Sequence, residues 1–391
     1  MKTVAAPGSA SVEMIRTLVG FPTVSRDSNL ELIHYLRDYL KPHGADLRLT
    51  YDDARRKANL FATLGHGEGG VVLSGHTDVV PVEGQPWDSD PFALREADSR
   101  LYGRGTADMK SFIACVLVVV PEIVKRGLME PLHLAFSYDE EVGCLGVGRL
   151  IADLTHAGIR PRACIVGEPT LMRPVVAHKG KKSYRCSVTG LAGHSAYAPY
   201  GVNAVEYAAE AVAFLKGMAR RHRDRGPYDR AFDVAYTTVH TGVMRGGTAL
   251  NVIPNECTFD FEFRHLPGDD PDALFREFTD YIATVLEPEM QKVYSGAAFR
   301  IEQLSGFQML ATSPESEVVA LAQDMAGERE FGKVSFGTEA PQFQQAGIPT
   351  VVCGPGSIEQ AHKPNEFVTL EQVAKCEMFV RRLADRICSK A

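Results

Sequence analysis

The chain has 391 residues, of which 45% are hydrophobic, and a formal net charge of −7 at pH 7. At about 150 residues per domain, this length predicts two domains with cores of ordinary size. The acidic balance and the lack of a long Lys/Arg run exclude a basic nucleic-acid-binding face and favour a small-molecule partner.

The N-terminal segment and the cysteines indicate where the protein works. Pro7, Gly8 and Ser9 interrupt the apolar run that an export signal needs, and the longest apolar run, 112–120, is about half the length of a membrane span. The eight cysteines form no CxxC pair, and most lie in apolar segments. This usage is typical of buried thiols in a reducing compartment. We therefore expect a cytoplasmic protein without a membrane partner.

The first part of the chain alternates helical and strand patterns. Ser28 and Glu31 predict a capping box for a helix over 30–40, and the apolar run 112–120 predicts a buried helix. Short apolar segments bounded by turn residues predict strands at 59–64, 71–74, 132–137 and 163–166. This alternation predicts an α/β fold with a largely parallel or mixed sheet flanked by helices.

The middle of the chain has a different pattern. We predict, in order, a strand, a long amphipathic helix, two strands, a helix and a last strand, at 183–190, 203–220, 235–241, 256–264, 270–286 and 299–304. This βαββαβ order predicts a small α+β domain over 182–305, inserted into the first domain. The first domain therefore comprises 1–181 and 306–391, with its last helices at 314–326 and 369–389.

Residue types that bind metals lie in short patches, several of them next to the predicted strands. They are His76, Asp78, Asp108, Glu140, Glu141, Glu168 and His362. Open α/β sheets place their ligands beyond the carboxyl ends of the strands, so these distant residues are expected to become neighbours. Imidazole and carboxylate without thiolate suit a catalytic metal that keeps a position open for water. The patches therefore predict a hydrolase with two metal ions.

Some of these patches suggest separate roles. Asp78 lies two residues after His76, so an extended backbone would point both side chains the same way and let Asp78 accept a hydrogen bond from the ring. The adjacent Glu140 and Glu141 can divide the work, one as a metal ligand and the other as a general base. Asp108, taken alone, is better explained as an ordinary acid at a helix start.

The inserted segment offers three further candidates. His194 lies on a glycine turn before the long helix, which suits either an oxyanion donor or a structural turn. Asn251 and Arg264 suit a substrate carboxylate, because a guanidinium binds one with two parallel hydrogen bonds. Arg264 is equally compatible with a structural ion pair.

Together and in this order, the patches resemble the M20 family of zinc-dependent amidohydrolases and peptidases over nearly the whole chain. The stretches that carry the resemblance are SGHTDVVPVEGQPWDSDPF, GRGTADMKSF, DEEVGCLG, GEPT, GHSAYAPYGVNAVEYA, GGTALNVIPNECTFDFEFR and FGTEAPQFQQAGIPTVVCGPGSIEQAHKPNEF. The resemblance implies a zinc-peptidase-like catalytic domain. It also implies that the inserted domain is a lid and the surface through which a homodimer forms.

The resemblance implies two Zn²⁺ ions per subunit, with Co²⁺ as a possible substitute. His76 and Glu168 would hold one ion, and Glu141 and His362 the other. Asp108 would bridge the two ions, and the peptide bond after it would be cis.

The resemblance also implies the roles of the remaining candidates. Glu140 would be the general base that generates a metal-bridging hydroxide, and Asp78 would orient His76. The histidine at position 194 of each subunit would reach the active site of the other subunit. Asn251 and Arg264 would hold the substrate α-carboxylate, and Glu339 would hold its distal ammonium group.

The activity implied by the resemblance is hydrolysis of the N-acetyl amide of Nα-acetyl-L-ornithine, in arginine biosynthesis. The nearest alternatives are succinyl-diaminopimelate, other N-acyl amino acids and dipeptides as substrates of the same chemistry. A more distant alternative is a non-catalytic amino-acid-binding protein on the same scaffold. The presence of Glu140 argues against it, because binding alone needs no general base.

Overall fold

The computed structural model describes residues 7–389. These residues form ten α-helices: α1 (Ser9–Val19), α2 (Leu30–Leu40), α3 (Lys110–Arg126), α4 (Val147–His156), α5 (Ala204–Arg225), α6 (Pro271–Tyr281), α7 (Glu287–Gln291), α8 (Glu317–Ala326), α9 (Ala340–Gln345) and α10 (Leu370–Ile387). Short 3₁₀ segments lie at Lys41–His43 and Ser195–Tyr200, and a π-helical turn at Ile282–Leu286 joins α6 to α7. Within the described chain, no helix has both the length and the hydropathy needed to cross a bilayer.

The same residues form eighteen strands. They are β1 (Asp46–Tyr51), β2 (Ala58–Leu64), β3 (Val71–His76), β4 (Arg95–Ala97), β5 (Arg100–Tyr102), β6 (Leu132–Ser137), β7 (Ala163–Pro169), β8 (Val175–His178), β9 (Gly180–Thr189), β10 (Gly193–His194), β11 (Thr238–Gly246), β12 (Val252–Ile253), β13 (Glu256–His265), β14 (Ala298–Phe307), β15 (Leu310–Ala311), β16 (Gly332–Val334), β17 (Thr350–Gly354) and β18 (Phe367–Thr369).

The chain divides into two compact units, and the described part of the first covers 7–177, 310–333 and 338–389. Its main sheet has the order β1-β2-β6-β3-β7-β17-β8-β15, with β16 paired to β8. The neighbours of β3 are parallel to it, whereas β1 pairs antiparallel with β2, β2 with β6, and β8 with β17. Helix α3 packs on β3 and β7, α4 on β1 and β2, and α9 on β7 and β17. The predicted mixed sheet flanked by helices is thereby confirmed.

The inner strands of the main sheet are nearly continuous apolar segments because both faces of the sheet are covered there. Every residue of β3 and β6 is buried. Helix α3 is similarly apolar, and most of its side chains are buried. This explains why the run 112–120 has no polar face and still belongs to a helix within the domain.

The second unit comprises His178–Met309 and Val334–Gly337. Its main elements in chain order are β9, α5, β11, β13, α6 and β14, and its sheet is antiparallel with the order β11-β13-β9-β14. Helix α5 packs on β9, β11 and β13. The core contains the fully buried rings of Phe259, Phe263 and Phe278. The role of this unit as a lid and dimerisation surface stays a prediction.

Two details differ from the sequence-based expectations. The N-cap of α2 is Asn29, so the third helical residue is Leu32 rather than Glu31, and the predicted capping box is wrong. The Ser28 hydroxyl instead donates to the Arg56 carbonyl at 2.6 Å. The second unit also begins and ends four residues outside the predicted 182–305 and includes 334–337, because the Lys179 N–H donates to the Val334 carbonyl.

Candidate metal centre

Three neighbouring strands of the first unit bring four of the candidate residues together. β3 lies between β6 and β7 and is parallel to both, so the carboxyl ends of the three strands are adjacent. β3 ends at His76, Glu168 is the penultimate residue of β7, and Glu140 and Glu141 follow β6. The order of the strands, not the order of the sequence, therefore makes these residues neighbours.

Asp108 reaches the same place from the loop before α3. This loop lies close to the strands because two strand positions are glycine. A Cβ at Gly75 would be 2.8 Å from Met109 Cε, and a Cβ at Gly167 would be 2.1 Å from the ring of Phe112. The peptide bond between Asp108 and Met109 is cis, as predicted. Helix α3 thus packs tightly on the sheet and holds Asp108 at the strand ends.

The first group of candidate ligands is His76, Asp108 and Glu168, all buried. His76 Nε2 lies 2.9 Å from Asp108 Oδ1 and 3.5 Å from Glu168 Oε1. One ligand atom from each residue lies within 4.8 Å of the other two. This spacing allows all three side chains to contact one cation.

The second group is Asp108, Glu141 and His362, with the same mutual limit of 4.8 Å. His362 Nε2 lies 2.9 Å from Glu141 Oε2 and 3.3 Å from Asp108 Oδ2. The His362 side chain is 53% exposed, so this group opens towards solvent. Asp108 directs one carboxylate oxygen to each histidine and belongs to both groups, which is the arrangement of a bridging carboxylate.

The glutamates of the site have raised pKa values because they are buried together. Burial and the charges of Glu141 and Asp108 raise the pKa of Glu140 to about 8. Burial and Asp108 raise the pKa of Glu141 to about 7. Burial and Asp108 also raise the pKa of Glu168 well above its usual value. The cluster therefore carries more acid groups than it can ionise without added positive charge.

The histidines respond to the same charges. Hydrogen bonds to Asp108 and Glu141 raise the pKa of His362 to about 10. Burial opposes protonation of His76, but Glu168 and Asp108 still raise its pKa well above the usual value. Both rings therefore lie where positive charge is stabilised.

The residues fit a divalent cation. Glu168 Oε1 is buried and accepts no hydrogen bond from the described residues, as expected for an oxygen reserved for a ligand. A cation at each group would supply the positive charge that lets the carboxylates ionise. It would also bind the histidine nitrogens in place of protons. Two imidazoles and three carboxylates are a donor set that suits divalent ions of the first transition row.

Asp78 makes different contacts from the predicted ones. His76 Nδ1 lies 2.9 Å from the backbone carbonyl of Asp78, whereas its distance to Asp78 Oδ1 is 3.7 Å. The Asp78 carboxylate instead accepts hydrogen bonds from the Ser25 hydroxyl at 2.7 Å and from the N–H groups of Glu140 and Glu141 at 3.1 and 3.3 Å. Asp78 thus orients the His76 ring through its backbone and fixes the two glutamates through its side chain.

Glu140 belongs to neither ligand group. The Cys144 thiol lies 3.2 Å from Glu140 Oε1 and can donate to it. Cys144 is held by a hydrogen bond from the Gln342 side chain to its carbonyl at 2.8 Å. Glu140 is therefore positioned beside the ligands without a contact that would make it one of them.

The second unit contains the three other candidates that the sequence suggested. His194 is exposed, and its Nδ1 accepts a hydrogen bond from Ala196 N at 3.1 Å. The Ser195 N–H donates to the Asn251 carbonyl at 3.1 Å, so His194 and Asn251 lie on adjoining segments. Arg264 donates from Nε to Glu262 Oε1 at 2.8 Å, which is the ion pair that the sequence left open.

Glu339, the predicted partner of a substrate ammonium group, is buried and already paired with two hydroxyls of the first unit. Its side chain is 1% exposed, and the hydroxyls of Ser74 and Ser137 each donate to one of its carboxylate oxygens at 2.6 Å. An ammonium group would have to displace both hydroxyls. Glu339 instead connects Ser74 of β3, two residues before His76, to Ser137 of β6.

Sequence reasoning missed three residues that support the site. The Ser25 hydroxyl holds Asp78, and a buried ion pair joins Arg104 to Glu366 at 2.7 Å. Arg104 lies between two glycines shortly before Asp108, and Glu366 lies in the stretch that contains His362. Only these positions in the sequence indicated that Arg104 and Glu366 support the site. They were not sufficient, because a charged residue in a loop is usually exposed to solvent.

Comparisons with known proteins agree with this fold and site. The model of "Peptidase family M20/M25/M40" matches residues 72–386. An acetylornithine deacetylase from Pasteurella multocida (strain Pm70) is 35% identical over 387 residues, which cover 97% of this chain and 98% of that protein. The structure of the aminopeptidase PepT from Bacillus cereus ATCC 10987 matches with a TM-score of 0.76 at 21% identity, over 96% of this chain and 97% of that one.

A Bacillus subtilis protein described as a dinuclear metal binding peptidase from the M20 family matches with a TM-score of 0.63 at 16% identity, over 96% of each chain. The fold and the site define a metal-dependent amidohydrolase with a divalent metal cofactor. Its substrate is a small molecule with an amide bond. The chain belongs to the peptidase family M20/M25/M40.

Proposed function

We propose that the protein hydrolyses the N-acetyl amide of Nα-acetyl-L-ornithine to ornithine and acetate, a step of arginine biosynthesis in the cytoplasm. The observation that carries the proposal is the 35% identity to an acetylornithine deacetylase over 97% of the chain. The site supports it, because carboxylate and imidazole ligands around an open position suit hydrolysis of an amide.

The proposed cofactor is a pair of Zn²⁺ ions, with Co²⁺ as a substitute. His76, Asp108 and Glu168 would hold one ion, and Asp108, Glu141 and His362 the other. When bound, such ions polarise the substrate carbonyl and lower the pKa of water.

Glu140 is the proposed general base and acid. Its carboxylate would take a proton from the attacking water and give it to the nitrogen of the leaving amine. The backbone contact to Asp78 and the thiol of Cys144 hold the carboxylate for this transfer. Without cations, burial and neighbouring acids raise the pKa of Glu140 to about 8. Two bound cations would lower this pKa, so that the ionised carboxylate could accept the proton of water.

The second unit is proposed to complete the site in a homodimer. Arg264 and Asn251 would hold the α-carboxylate of the substrate, since a guanidinium and an amide both donate to carboxylate oxygens. The exposed imidazole of His194 would donate a hydrogen bond to the oxyanion that forms in the other subunit's active site. A monomer would lack this donor.

Mixed dimers test this arrangement. We expect His194→Ala and Glu140→Gln to be nearly inactive as separate homodimers, and mixing them under subunit exchange to restore roughly a quarter of wild-type turnover. Activity returns because one of the two sites in each heterodimer combines an intact Glu140 with an intact His194 of the other subunit. Exchange is monitored with differently tagged subunits. Confirmed heterodimers without activity would place His194 in its own subunit's site, and a fully active His194→Ala homodimer would place it outside catalysis.

Substrate profiling tests the reaction itself. We expect zinc-loaded protein to release ornithine from Nα-acetyl-L-ornithine with a kcat/KM at least tenfold above that for succinyl-diaminopimelate, acetyl-methionine or a dipeptide. A ratio of about ten corresponds to the loss of one ion pair between the site and the substrate. Preference for another substrate of the panel would be consistent with an amidohydrolase but would reject Nα-acetyl-L-ornithine as its substrate. Binding of acetylornithine without turnover, at full metal occupancy, would favour the non-catalytic alternative.

A further inference from the structure

Glu366 is a buried acid to which the proposed mechanism gives no role. Its side chain is 1% exposed, and its carboxylate accepts four hydrogen bonds from the loop before α3. Oε2 accepts from Arg104 Nη1 at 2.7 Å and from Gly105 N at 3.1 Å. Oε1 accepts from Ala107 N at 2.8 Å and from Asp108 N at 3.1 Å. The last contact holds the residue that both ligand groups share.

Arg104 extends this network to the loop that carries His362. Its guanidinium is 1% exposed and donates from Nη2 to Gln85 Oε1 at 2.6 Å and from Nη1 to the Lys363 carbonyl at 3.3 Å. Gln85 Nε2 then donates to the backbone carbonyl of His362 at 3.0 Å. One connected set of polar contacts therefore joins the backbone of Asp108 to the backbone of His362.

We propose that Glu366 and Arg104 are positioning residues of the metal centre, which hold Asp108 and His362 at the spacing that two cations require. Both act on the backbone of the ligand residues: Glu366 accepts directly from the Asp108 N–H, and Arg104 reaches the His362 carbonyl through the side chain of Gln85. The inference rests on the proposed ligands and deepens that part of the proposed function. It is independent of the identity of the substrate.

The negative charge of Glu366 is central to this role. Each of its oxygens faces two donors, so a glutamine would direct its NH₂ group at one donor pair or the other. Either the Arg104 side or the Asp108 side would then lose its acceptor in a buried place. Residues that orient metal ligands typically contribute 10–100-fold to metal affinity.

Metal titration of Glu366→Gln tests the proposal without any substrate. Co²⁺ is added to the metal-free full-length protein in the presence of a competing chelator, and the visible absorption of bound Co²⁺ is recorded. We expect the dissociation constants of both sites to rise by roughly 10–100-fold, because Asp108 serves both sites. An unchanged affinity for Co²⁺ would overturn the proposal.

Glu377→Gln is the matched control. Glu377 is also a buried carboxylate, and it accepts from Gly8 N at 3.0 Å and from Arg381 Nη1 at 2.9 Å, away from the candidate ligands. Its replacement has the same chemistry and should leave Co²⁺ affinity unchanged. If Glu366→Gln and Glu377→Gln lost Co²⁺ affinity equally, the loss would be explained by general destabilisation, and the positioning role would be rejected.

Gln85→Ala provides a second test if Glu366→Gln does not fold. Gln85 is partly exposed and contacts His362 but not Asp108 directly, so its removal should weaken one Co²⁺ site more than the other. Equal weakening of both sites, or none, would contradict the proposed network. Normal Co²⁺ binding by the wild type without acetylornithine hydrolysis would refute the substrate and leave this inference intact.

Discussion

Replacement of Glu140 with glutamine is expected to lower kcat about 10²–10⁴-fold while the protein retains its metal ions. The loss is large because the same carboxylate would accept the proton of the attacking water and return it to the leaving nitrogen. Metal content should be retained because Glu140 belongs to neither group of candidate ligands. Turnover and metal content by atomic emission are measured on the same preparation.

The adjacent glutamate supplies the contrast. Glu141 lies next to Glu140 in the chain, but its Oε2 is 2.9 Å from His362 Nε2. Glu141→Gln should therefore lose metal affinity, and excess metal should partly restore its turnover. Loss of metal from Glu140→Gln, with full metal in Glu141→Gln, would exchange the two proposed roles.

Asp108→Ala is expected to have the second large effect, the loss of both metal ions and with them about 10³-fold or more in turnover. Asp108 offers Oδ1 towards His76 and Oδ2 towards His362, so its removal takes a ligand from each site at once. His362→Ala removes a ligand from one site only and should retain one ion under the same dialysis.

The comparison of these two variants is the critical measurement. Isothermal titration with Zn²⁺ should give two binding events for the wild type, one strong event for His362→Ala and none of comparable strength for Asp108→Ala. Near-native circular dichroism of both variants would exclude unfolding as the cause. One retained tight site in Asp108→Ala would mean that the carboxylate belongs to a single ion.

Much of the first unit was predictable from the sequence because its strands are short, apolar and bounded by turns. The strand predicted at 132–137 coincides with β6, and the strand predicted at 71–74 ends two residues before the end of β3. His76, Glu141 and Glu168 were recognisable because they lie at or just after the ends of such strands, whereas the roles of Asp108 and His362 came from the resemblance to the M20 family. Their mutual distances required the strand order, in which β3 lies between β6 and β7.

The supporting contacts were not predictable to the same degree. The expectation for Asp78 assumed that the extended backbone continues past His76, but β3 ends there and the ring meets the Asp78 carbonyl instead. Glu339 was expected to bind the ammonium group of a substrate, and only the fold shows Ser74 and Ser137 around it. Such partners lie more than 200 residues apart, so no local pattern reports them.

The position of the second unit within the chain affects the order in which the centre can be assembled during protein synthesis. His76, Asp108, Glu141 and Glu168 all precede His178, where the second unit begins, whereas His362 follows that unit. A nascent chain therefore presents the proposed ligands of the first ion well before it completes those of the second. The ribosome must translate the whole intervening unit before the acidic cluster acquires its last histidine.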